Sequence, residues 1–175
     1  SPDKYALIFD PGAACQDCDV GVRITTVHTM LQTSAACDMV IKVSLLSVDA
    51  PPVANCPAPL NVLCGHYEWS VSLPSEGTWD ISLPLDCLCA DPDYLFALKV
   101  KITGADCVDG GLPNLITDES PTACTSYNEI DGVWTDLVTT YGFPGNLSIW
   151  ADAECCWSPV GLEARTWSDL KAIYR

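Results

Sequence analysis

A period-two alternation of apolar and polar side chains through the middle of the chain constrains its fold most. Tyr67, Trp69, Val71 and Leu73 fall on one side of an extended chain, and Glu68, Ser70 and Ser72 on the other. Pro74-Ser75-Glu76-Gly77 reads as a turn, after which Trp79, Ile81, Leu83 and Leu85 alternate with Asp80, Ser82 and Asp86. Successive side chains of a strand point to opposite faces, so this is the pattern of strands with one buried face. It predicts a hairpin across residues 67–85. After the Asp91-Pro92-Asp93 turn, Tyr94, Phe96, Leu98, Val100 and Ile102 alternate with Ala97, Lys99, Lys101 and Thr103, which extends the hairpin to an antiparallel meander.

Residues 5–9, 20–30 and 39–48 are rich in β-branched side chains and bounded by Gly, Pro or Asp, and 133–138 and 147–153 read as closing strands. Residues 112–128 read mostly as loop. Short strands without long helical periodicity predict an all-β, antiparallel two-sheet sandwich or jelly-roll-like domain over residues 1–157. Residues 158–175 read as a linker and docking tail. Ser158-Pro159-Val160-Gly161 is followed by a cap-like Thr166 and a short helical pattern with Trp167, Leu170, Ile173 and Tyr174 on one face. A helix shorter than about 12 residues does not persist alone in water, so this tail needs a surface to dock on. Its Arg165, Lys171 and Arg175 outnumber Glu163 and Asp169, in a chain whose net charge is −15.

Eleven cysteines place the chain in an oxidising compartment: Cys15, Cys18, Cys37, Cys56, Cys64, Cys87, Cys89, Cys107, Cys124, Cys155 and Cys156. Cys15 and Cys18 are the single Cys-x-x-Cys pair, so a closed zinc ligand set is lacking and disulfides are the expectation. An odd number leaves at least one thiol free, bridged between chains or otherwise occupied. Cys56 and Cys64 bracket a proline-rich loop and form the best local pair, whereas the adjacent Cys155 and Cys156 are expected to reach different partners. An opening Ser1-Pro2 in place of Met suggests a mature, secreted form.

With eight Lys and Arg against 23 Asp and Glu, a nucleic-acid or anionic-membrane partner is excluded, because phosphate binding needs concentrated positive charge. No apolar run approaches the ~18 residues of a membrane-spanning helix. His28 and His66 are the two histidines, and neither sits at metal spacing or in a hydrolase motif, so both read as ordinary strand residues. The chain is therefore expected not to be an enzyme and to carry no cofactor beyond a candidate structural calcium. Hard cations favour loop carboxylates, and Asp17 with Asp19, Asp91 with Asp93, and Asp106 with Asp109 are the candidates. Ordinary turn chemistry explains such aspartates as well. Trp69 and Trp79 belong to the buried face. Trp150 breaks the apolar parity of Leu147, Ile149 and Ala151, so it is expected to face outward with Asp152 and Glu154, as a stacking residue for a ligand. Asn146-Leu147-Ser148 is a glycosylation sequon.

The run from Tyr141-Gly142-Phe143-Pro144-Gly145 to Cys155-Cys156, the stretch from Leu73-Pro74 to Cys89, and the ending from Thr166-Trp167 to Tyr174-Arg175 resemble uncharacterised, cysteine-rich, secreted bacterial proteins known mainly from environmental sequences. The resemblance implies secretion and a β-rich fold, and no activity. The expectation is an extracellular, cell-surface subunit that self-assembles as a homo-oligomer, filament, sheath or surface layer. Tyr5, Leu7 and Phe9 and the tail residues Trp167, Leu170, Ile173 and Tyr174 would be its subunit contacts. The alternative is a secreted carbohydrate-binding or adhesive module with Trp150 as its stacking residue and a glycan as its partner.

Overall fold

The alternating segments become strands that divide between two antiparallel sheets, as the computed structural model of the chain shows for residues 4–15, 18–49, 56–87, 89–91 and 93–156. The elements are β1 (Lys4–Phe9), α1 (Pro11–Ala14), β2 (Val22–Thr33), β3 (Cys37–Val48), β4 (Pro59–Leu73), β5 (Gly77–Pro84), β6 (Phe96–Cys107), β7 (Asn114–Leu115), β8 (Ser126–Ile130), β9 (Val133–Asp136), α2 (Leu137–Tyr141) and β10 (Ile149–Cys155). The large sheet runs β4-β3-β6-β1-β8-β9. The small sheet runs β10-β2-β5, and β7 pairs with the end of β2. No helix among the described residues is long and apolar enough to cross a membrane.

The fold is thus the expected two-sheet sandwich, but its pairing is not the expected meander. β4 pairs with β3 and β5 pairs with β2, so the turn at residues 74–76 carries the chain from one sheet to the other. Alternation records which side of a strand is buried and says nothing of its partner. Trp69 and Val71 on β4 and Trp79 and Ile81 on β5 pack against the same core from opposite sheets. β6 likewise lies between β3 and β1. Within residues 112–128, expected as loop, Ser126–Ile130 forms β8 against β1. Its one large buried apolar side chain, Tyr127, gave no alternation to read. The segment 133–138 is strand only to Asp136, whose carboxylate then caps α2 by accepting from the Thr139 N–H.

The core between the sheets is filled by Val22, Ile24, Val27 and Leu31 of β2, Ile41 and Val43 of β3, and Leu98 and Val100 of β6. On β2 the buried parity switches between Ile24 and Val27. The pairing with β10 slips by one residue at this place, a bulge that keeps both runs facing inward. A second cluster, Ala6, Ile8, Leu46, Ala97 and Tyr127, lies outside the first, with Cys56 and Trp134 packed on it. The Tyr127 hydroxyl donates to the Pro57 carbonyl and Cys56 bonds Cys124, which fastens Cys56 and Pro57 against this cluster.

Five disulfides close the structure: Cys18–Cys155, Cys37–Cys107, Cys56–Cys124, Cys64–Cys87 and Cys89–Cys156. Cys56 and Cys64 are therefore not bonded to each other. Cys64 sits on β4 of the large sheet, and its partner Cys87 follows β5 of the small sheet. Cys155 and Cys156, which point oppositely at the end of a strand, reach Cys18 and Cys89. Cys15 is the unbonded cysteine.

Candidate functional site

The outward side chains of the small sheet converge on His28. On β2, His28, Met30 and Gln32 alternate with the buried Thr29, Leu31 and Thr33. In register, His28 lies between Trp150 of β10 and Ser82 of β5, and Met30 lies beside Asp80. The Trp150 and His28 rings are stacked, with centroids 5.1 Å apart and planes 5° from parallel. His28 Nε2 lies 2.9 Å from Asp152 Oδ2, and its Nδ1 lies 2.9 Å from Ser82 Oγ and 4.0 Å from Asp80 Oδ1. With a neutral ring, the carboxylate requires Nε2–H as donor, so Nδ1 accepts from the Ser82 hydroxyl. One turn of network thus clamps the imidazole edge-on while its face supports the indole. Trp150 remains 39% exposed. Arg23 pairs with Glu154 at the bulged end, leaving Asp80 and Asp152 as the acidic groups beside the stack.

Ser82, His28 and Asp152 have the composition of a hydrolase triad but lack its setting. All three stand on an open sheet face. Strand N–H groups lie in the plane of the sheet, so the backbone around Ser82 aims no donors at an oxyanion above it. The arrangement suits binding: an aromatic platform, two carboxylate acceptors and a hydroxyl along one face. From His28 to Gln32 that face runs about 14 Å at the usual rise per strand residue, with Asn114 of β7 exposed beside Gln32.

Trp150 faces outward with Asp152 as its parity requires. His28 was expected to be an ordinary strand residue and is instead the hub. Sequence spacing could not reveal this, because Asp152 and Ser82 lie 124 and 54 residues away. Tyr5, Leu7 and Phe9 are on β1, which pairs with β6 on one side and β8 on the other and so offers no open edge for strand addition. Trp167, Leu170, Ile173 and Tyr174 lie outside the described residues, as does Asp17.

Of the described candidate calcium ligands, Asp19, Asp91 and Asp93 line one cleft without forming a metal site. Asp91 accepts from the Asp93 N–H in a local turn. Asp106, expected in a turn, lies on β6 opposite Asp38. Hydrogen bonds from the Ser34 hydroxyl and the Gly111 N–H hold the Asp109 carboxyl below its ordinary range. Among the described residues no three His, Cys, Asp or Glu side chains converge as a metal site. The Asn146 side-chain nitrogen, which a glycan would occupy, donates to the Ser120 carbonyl at 2.6 Å and braces the 118–122 loop.

The sandwich defines an all-β class of protein. Within it, the profile of the family described as Domain of unknown function (DUF7451) matches residues 2–153. The chain belongs to that family. A search of curated protein sequences returned no match. Among solved structures the chain is similar to the crystal structure of the cysteine protease and lectin-like domains of Cwp84, a surface layer associated protein of Clostridium difficile. The TM-score is 0.53 at 17% identity, over 89% of this chain and 32% of that one. A second structure of the same clostridial cysteine protease, after propeptide cleavage, gives 0.49 at 17% identity over 89% and 36%. The chain thus spans about a third of either protein's length, and the likeness is one of fold.

Proposed function

We propose that this chain is an extracellular recognition module, not an enzyme, whose small-sheet face binds a glycan through Trp150. The stacked Trp150–His28 pair flanked by Asp152, Ser82 and Asp80 carries the reading. Sugars offer an apolar C–H face to an aromatic ring and hydroxyl donors to carboxylates, and this surface supplies both partners side by side. The five disulfides favour an oxidising location. So does the fold's likeness to part of a surface-layer associated protein whose structure includes a lectin-like domain. A glycan array probed with the wild-type protein under non-reducing conditions tests the reading. Retention of one glycan class, lost in Trp150→Ala, is expected. An array blank for the wild type, or identical for the variant, would overturn it.

A structural subunit is the second reading, and one observation favours it. β4 is 15 residues long and lies at the edge of the large sheet, with Leu60, Val62 and Leu63 about half exposed. Such an edge invites another strand. Light scattering separates the two: polymers that persist on dilution favour the subunit, and a particle near 16 Å in radius of gyration, as the size scaling gives for one domain, favours the module.

A further inference from the structure

Cys15 stands where two cavities meet. On one side an apolar cavity of about 210 Å³ opens between the sheets, lined by Phe9, Ile24, Leu98, Ala151 and Ala153. On the other a polar cleft of about 520 Å³ carries Asp19, Asp91 and Asp93. An occupant that satisfies both is apolar at one point and cationic close by. The described chain ends on the same side: Ala153 lines the cavity, and Cys156, three residues on, is tied to Cys89 and donates its N–H to Gly21. The residues that follow are apolar at Trp167, Leu170, Ile173 and Tyr174, and cationic at Arg165, Lys171 and Arg175.

We propose that residues 157–175 of the same chain dock here, with an apolar side chain of the Trp167–Tyr174 group in the cavity and Lys171 and Arg175 toward Asp19, Asp91 and Asp93. Tethering decides between the chain's own segment and a neighbour's. Trp167 is eleven positions on from Cys156, a coil span of about 18 Å. A ligand on so short a tether acts at an effective concentration in the millimolar range, which a free second copy does not reach in dilute solution.

Cys15 reports on the docking, since the segment would cover its thiol. In the full chain at micromolar concentration, maleimide labelling of Cys15 is expected to be slow. It should accelerate at least tenfold in Trp167→Ala/Leu170→Ala, and severalfold in Lys171→Glu/Arg175→Glu or at high salt. An Ile173→Cys variant should form an intramolecular disulfide with Cys15, identified by peptide mass mapping. Equal labelling rates in wild type and the apolar double variant, with unchanged melting temperatures, would overturn the proposal. So would protection that grows with protein concentration, or an Ile173→Cys bridge found only between chains.

Discussion

Gly145 is buried where the chain turns back toward β10, and a β-carbon there would overlap the Asp118 carbonyl. The Asp118 carboxylate accepts from the N–H groups of both Ser120 and Asn146, so neither segment of the contact can retreat without losing hydrogen bonds. Gly145→Ala is expected to cost about 3 kcal/mol, at the upper end of overpacking, measured by urea unfolding. It should also weaken glycan binding, since Trp150 lies five residues on. Tyr127 carries a different signature. Burial, and to a lesser degree the nearby Asp136 carboxylate, push its phenol up to about 12. A raised folded-state pKa means that the folded protein holds this proton more tightly than the unfolded chain. The stabilisation is complete below pH 10 and is lost as pH rises from there through about 12. Absorbance at 295 nm should show Tyr127 titrating late, together with alkaline unfolding. Tyr127→Phe should remove that late step.

Short elements depend on single contacts. The five-residue α2 has no stability of its own. Asp136 holds it by accepting from the Thr139 N–H and hydroxyl, and the same carboxylate accepts from the Cys124 N–H. Asp136→Ala removes a cap and orphans a part-buried donor, a loss of about 2–3 kcal/mol, measured as a fall in thermal midpoint. Strand faces were legible in the sequence because burial imposes a period of two: Tyr67 to Leu85 and Phe96 to Ile102 could be assigned inward and outward side by side. Partners were not legible, because β4 and β5 use one core from two sheets and share no hydrogen bonds. The same limit hid the site. Parity placed Trp150 and Asp152 outward, but His28 and Ser82 come to them through pairings with β2 that no local pattern encodes.

Across the whole molecule, the disulfides tie distant segments, and the residue counts rank them. Cys18 and Cys155 are 137 residues apart, Cys64 and Cys87 only 23. If the gain comes chiefly from restricting the unfolded chain, the long loop contributes about 5 kcal/mol and the short one about 3.5. Urea unfolding of the paired Cys→Ser variants should therefore show Cys18/Cys155 as the more destabilised. Equal or reversed losses would mean that native-state contacts, not chain entropy, dominate. The abundance of cysteine made disulfides readable, whereas their connectivity depended on how the chain passes from one sheet to the other. These covalent ties also matter to the site, because Cys155 ends the strand that presents Trp150 and anchors it to Cys18. The central claim is that this fixed outer face binds a glycan. It is tested most directly by calorimetric titration of an array-identified glycan into wild type, Trp150→Ala and Trp134→Ala, with Trp134 packed on the opposite sheet. The account predicts at least a tenfold loss of affinity, about 1.4 kcal/mol, for Trp150→Ala and none for Trp134→Ala. Unchanged affinity in Trp150→Ala would contradict it.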